Sequence, residues 1–174
     1  RVRTGNKLRI FFFQGSINSA VPFVCFSVAA VNLPSGYLAV MNSFVPVWSL
    51  FFSFILLDKK IELKSFLGLI IGILGVMIFV GFGPVTLNKN SIIAIFFAFL
   101  ATLCYAISGV LTKKYCPDEP VLNISVYCLG FSSIILLPAI ILDVPKISPS
   151  NQAWIAVISL GVLCSGVALL LYFK

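Results

Sequence analysis

Charged and turn-forming residues divide this chain into six apolar runs: Ile10 to Val31, Tyr37 to Leu57, Leu63 to Phe82, Ile92 to Leu111, Val121 to Leu142 and Trp154 to Phe173. Each is near the ~20 residues with which an α-helix crosses a hydrocarbon core of roughly 30 Å. The pattern is plainest from Asn32 to Gly81, where two uncharged runs flank the segment DKKIELK, which must stay at the water interface. A strand reading fails. Lipid leaves the open edges of a sheet without hydrogen-bond partners, and the short alternating segments of an outer-membrane barrel are missing. The connectors NLPSG, DKKIELK, GFGPVTLNKN, TKKYCPDEP and DVPKISPSNQ are short and rich in helix breakers, so consecutive helices run antiparallel. The pattern predicts an all-α integral membrane protein with six transmembrane helices.

Composition agrees. The chain is 60% hydrophobic and 10% charged, with a mean hydropathy of +1.13, against about 45–50% apolar and 25% charged in soluble domains. A net charge of +7 would suit nucleic acid, but the basic residues fall in short clusters between apolar runs, which excludes a nucleic-acid face and makes them topology signals. Nine of them, Arg1, Arg3, Lys7, Arg9, Lys59, Lys60, Lys64, Lys113 and Lys114, fall on one side of an alternating topology, and only Lys89 and Lys146 on the other. The positive-inside rule then places the N-terminal flank in the cytoplasm of a multi-pass protein, the first helix running outward. RVRTGNKLR opens a first spanning helix rather than a signal peptide, since the apolar run is too long and no small-residue cleavage site follows. With no initiator Met and an end inside an apolar run, the chain reads as a segment of a longer protein.

Polar residues inside the runs carry the candidate chemistry. Gln14, Asn18 and Pro22 lie four apart on the first helix. Asn42, Pro46, Ser49 and Ser53 form a similar stripe on the second. A buried amide needs partners, and Pro46 frees the carbonyl of Asn42, so a kink is expected there. Weaker stripes are Thr102, Tyr105, Ser108 and Thr112 on the fourth helix, and Gly161, Ser165 and Tyr172 on the sixth. Two readings fit: a shared water-accessible cavity, with Trp48 as an aromatic wall, or hydrogen bonding that glues helix to helix. Gly68, Gly72 and Gly75 on the third helix are expected to pack against neighbours. The five cysteines show neither CxxC nor metal spacing, and there is no histidine, so no metal or cofactor is expected. Asp58, Glu62 and Asp143 sit at helix ends, and Lys174 is expected to snorkel at the cytoplasmic boundary. Without an acid or base at membrane depth, these helices do not supply an enzyme. Gly15, Ser19 and Val21 align with Gly161, Ser165 and Val167 on helices of opposite direction, as an inverted repeat requires.

The stretch AAVNLPSGYLAVMNSFVPVWSLFFSFILLDKKIELKSFLGLIIGILGVMIFVG resembles the second half of an EamA domain of the drug/metabolite transporter superfamily, and AFLATLCYAISGVLTKKY with AWIAVISLGVLCSGVALLLYFK resembles the start of a second copy. One departure is visible: Leu57 and Asp58 stand where the family turn reads Gly-Glu. The resemblance implies a fold of two inverted five-helix halves, of which this chain holds helices three to eight, with residues 1–83 in the first repeat and 84–174 in the second. It further implies a bacterial inner or cell membrane and a secondary transporter of a small metabolite, such as an amino acid, coupled to protons or to an exchanged substrate. The candidate substrate-binding residues are Gln14, Asn18, Asn42, Trp48, Tyr105, Ser108, Ser165 and Tyr172. The rival reading is a non-transporting membrane scaffold or receptor.

Overall fold

The computed structural model describes residues 4–58, 62–80, 88–142 and 150–162, and their regular secondary structure is entirely helical. Prolines decide where the long apolar runs break. The first run begins as α1 (Thr4–Gly15), passes through a π-helical turn (Ser16–Ala20) and continues as α2 (Val21–Ala30). Pro22 has no N–H to give, and just before it the Val21 N–H reaches back to the carbonyl of Ser16, one residue further than in an α-helix. At the far end the N–H groups of Asn32 and Leu33 both bond the Ala29 carbonyl, at 3.1 and 3.0 Å, and extended Pro34 starts the return.

The second run is α3 (Ser35–Asn42) and α4 (Val45–Leu57), parted by a turn at Ser43 and Phe44. Pro46 lies in the first turn of α4, where its missing donor costs nothing. The kink expected at Pro46 is therefore a break. Asp58 ends α4 in the left-handed conformation, φ 51°, with its N–H on the Ser53 carbonyl. Next come α5 (Leu63–Val80), α6 (Lys89–Tyr115), α7 (Val121–Leu142) and α8 (Asn151–Ser159). Side-chain caps fix two of the starts: Asn88 Oδ1 accepts the Ser91 N–H at 2.8 Å, and Ser150 Oγ accepts the Ala153 N–H at 3.2 Å. Lys113 and Lys114 close α6 where cations complement its dipole.

Four stretches are long and apolar enough to cross a membrane: Leu8–Ala30, Ser35–Leu57, Lys89–Tyr115 and Val121–Pro138. Leu63–Ile78 and Asn151–Val162 are shorter apolar helices, because the third and sixth runs extend beyond the described residues.

Helix α6 is the centre of the packing. It touches α2, α4 and the π turn, while α7 packs on α1 and the π turn. Small residues make this possible, since in lipid helices associate by close backbone approach rather than by a hydrophobic force. Ala94 and Ala98 of α6 are buried against Ala29 and Leu33, and Ala101 and Ala106 are also fully buried. Between α1 and α7, Phe11 joins Cys116, Ile124 and Cys128 in a second cluster, with the rings of Phe11 and Tyr127 stacked at 5.0 Å. Large apolar residues such as Phe54, Ile71, Ile78 and Phe96 point outward, as a surface solvated by lipid requires.

Helix α5 departs from expectation. Among the described residues a Cβ placed on Gly68, Gly72 or Gly75 would meet nothing within 4 Å, so these glycines do not hold α5 against any described neighbour. The reason is geometric. In the antiparallel hairpin α5 packs on α3, and the glycine face of Gly68 and Gly72 opens onto a groove shared with α4.

Candidate functional site

Four of the residues singled out from sequence meet in one network. Gln14, 4% exposed, donates from Nε2 to the Ser108 carbonyl at 2.8 Å and to Thr112 Oγ1. The Thr112 hydroxyl donates to that same carbonyl at 2.9 Å, and the Ser108 hydroxyl donates to Asn18 Oδ1 at 3.1 Å. The π turn carries Asn18 and the end of α1 carries Gln14, so the irregular backbone before Pro22 presents both amides to α6. Three of these bonds cross from the first run to α6, which is how hydrogen bonds tie helices together in lipid. Thr102 bonds back to its own helix, at 2.7 Å from the Phe99 carbonyl. Tyr105 packs over Phe26, ring centroids 6.2 Å apart.

The open space lies on the other side of α6. Between α4 and α5 is a groove of about 590 Å³, lined by Ser43, Pro46, Ser49 and Ser53 from the second run and by Ser65, Gly68, Gly72 and Val76 from α5, with Lys113 of α6 among its walls. Pro46, Ser49 and Ser53 thus face it, as three members of the stripe read from sequence. The fourth, Asn42, is exposed and does not line it. Ser43 uses its hydroxyl on the Val40 carbonyl at 2.6 Å. Trp48 turns from the groove toward α6 and packs edge-on against Phe99 at 5.1 Å and Phe51 at 6.3 Å. Its indole N–H is buried with no hydrogen-bond partner among the described residues. Such an orphan donor costs about 1–3 kcal/mol, so this position favours any group that can accept from it. Ser165 and Tyr172 lie outside the described residues.

Sequence reasoning missed Ser43, Ser65 and Lys113. Ser65 was legible in principle, because Ser65, Gly68, Gly72 and Val76 follow one another at helical spacing on one face. Lys113 was counted only as a topology charge, and nothing local tells that its neighbour Lys114 turns instead to the Leu56 carbonyl, at 3.1 Å. A second cavity, about 270 Å³, opens between α1 and α6 and is lined by Arg9, Ile10, Phe13, Gln14, Leu111 and Tyr115. Among the described residues no group of three His, Cys, Asp or Glu could hold a metal ion.

Comparison with known proteins gives these helices a family. Protein PecM of Dickeya dadantii (strain 3937) is 32% identical over 104 residues, covering 60% of this chain and 34% of that relative. The matched part is thus about a third of the relative's length. No solved structure matches the chain. The EamA-like transporter family matches residues 1–81 and 92–174, nearly the whole of it, and the chain, an all-helical membrane protein of the drug/metabolite transporter superfamily, belongs to that family.

Proposed function

We propose that the chain forms part of a secondary transporter that moves a small polar or amphipathic metabolite by alternating access, and that the groove between α4 and α5 is its share of the substrate route. The observation that carries this reading is open space between two spanning segments, with serine hydroxyls set in a mostly apolar lining. A groove of about 590 Å³ falls in the range of roughly 300–1,000 Å³ typical of small-molecule sites. Its serines offer hydroxyls, and Gly68 and Gly72 leave backbone uncovered on the opposite wall. Of the residues singled out from sequence, Gln14, Asn18 and Ser108 act in this reading as the fastening of the first run to α6, Tyr105 of α6 packs on Phe26 and Trp48 of α4 on Phe99, and Asn42, Ser165 and Tyr172 remain candidates for substrate contact. Residues 1–83 and 84–174 are read as parts of two inverted repeats, with the N-terminal flank cytoplasmic. Among the described residues no carboxylate stands at membrane depth and the chain has no histidine, so exchange of substrates suits these helices better than a proton relay.

The test is flux in vesicles reconstituted with the full-length protein. A panel of amino acids and related metabolites is expected to include one that moves down an imposed substrate gradient, and Gly72→Leu, whose Cβ would meet nothing within 4 Å among the described residues and whose side chain would enter the groove, is expected to cut that flux at least tenfold with the thermal midpoint unchanged. Flux of no substrate under any gradient overturns transport. Full flux in Gly72→Leu removes the groove from the route.

A further inference from the structure

The cavity between the cytoplasmic ends of α1 and α6 takes no part in the proposed route, and its walls are of two kinds. Ile10, Phe13 and Leu111 are hydrocarbon; Arg9 and Tyr115 add a guanidinium and a phenol, and Gln14 is the remaining lining residue. Gln14 is committed to Ser108 and Thr112, so its amide closes the inner end rather than waiting for a ligand. Arg9 is exposed and no carboxylate pairs with it among the described residues. From Gln14 to Arg9 the helix rises about 7.5 Å, roughly half of the ~15 Å that one leaflet contributes to the hydrocarbon core. The cavity therefore occupies the interfacial half of one leaflet. By the basic-residue bias, that leaflet is the cytoplasmic one.

We propose that this cavity binds an anionic phospholipid of the cytoplasmic leaflet, with the Arg9 guanidinium on the phosphate, the Tyr115 hydroxyl beside it, and the upper part of an acyl chain against Ile10, Phe13 and Leu111. Guanidinium matches phosphate through paired, forked hydrogen bonds. The volume of about 270 Å³ holds the glycerol region and the first part of a chain. The mouth of the cavity is apolar as well, Phe13 being 54% accessible, so the rest of the chain leaves it into surrounding lipid. A free hydrated anion would use the cation and leave the apolar walls wet, so the walls select lipid over inorganic phosphate.

The experiment measures association of spin-labelled phosphatidylglycerol and phosphatidylcholine with the purified full-length protein. The expected result is a preference for phosphatidylglycerol that falls about fivefold in Arg9→Gln, the share of one basic residue near an anionic surface. Leu111→Trp, which fills the cavity from α6, lowers it as well. Lys113→Gln removes an equal charge from the other side of α6 and leaves it, and millimolar inorganic phosphate does not compete. Three results overturn the proposal: no preference in the wild type, an equal loss in Arg9→Gln and Lys113→Gln, or displacement by inorganic phosphate. Each is read without any transported substrate, so failure of the transport reading leaves this test standing.

Discussion

At Gly15 a single missing side chain lets two helices meet. A Cβ there would stand 2.8 Å from the Cys128 carbonyl oxygen and 3.1 Å from Cβ of Phe131, both on α7. The carbonyl belongs to a helix backbone and cannot swing aside. Gly15→Ala is accordingly expected to lower stability by about 1–3 kcal/mol, as overpacking does, seen as a lower thermal midpoint in detergent. Gly75→Ala, in open space, is expected to leave the midpoint unchanged or raise it, since alanine suits a helix better by up to about 1 kcal/mol. The contrast shows what a sequence holds at this scale. A glycine announces that something can come close, not which helix comes: the spaced glycines of α5 face a groove, while Gly15, noted from sequence only for its match to Gly161, sits under α7. The stripes behave alike. That Gln14 and Asn18 share a face was legible from their spacing, but their partner Ser108 is chosen by the packing of a helix 94 residues further on, which no local pattern encodes.

Elements tell a clearer story, because proline chemistry is local. An interruption was expected at Pro46 and is found there, and Pro22 interrupts the first run as well. The form of each break was not legible: the ladder before Pro22 slips into a π turn, whereas the helix before Pro46 stops and restarts. The difference follows from neighbours, the first run being clamped by α6 and α7 around the turn and the second lying between α6 and an open groove. Pro46→Ala restores a donor and allows α3 and α4 to join. We expect the thermal midpoint to hold or rise while flux falls severalfold, because straightening this run moves Ser49 and Ser53 relative to α5. A variant that loses stability and flux together would mean that the break serves only folding.

For the whole molecule, the membrane makes the fold legible. Hydrocarbon forces every spanning backbone to bond within itself, so long apolar runs could only be helices, and the basic residues mark their ends. The same charges predict which side each end faces. With the five native cysteines replaced, a cysteine at Asn88 should react with an impermeant thiol reagent added outside intact cells, and one at Pro117 only after permeabilisation; the reverse pattern would invert the assigned topology. What the charges do not encode is how the helices are rotated about their own axes, and the π turn bears on that. It fits one extra residue into a single turn of helix, so removing any one residue between Ser16 and Ala20 would return the first run to even α spacing and leave α1 and α2 in nearly the same relative rotation. Since α1 carries α7 and α2 carries α6, such a deletion would keep both sides of the bundle aligned and change only which side chains of the turn look toward α6. The spare residue is thus a splice, local in its effect, that lets the chain carry one more side chain at this level than a regular helix could.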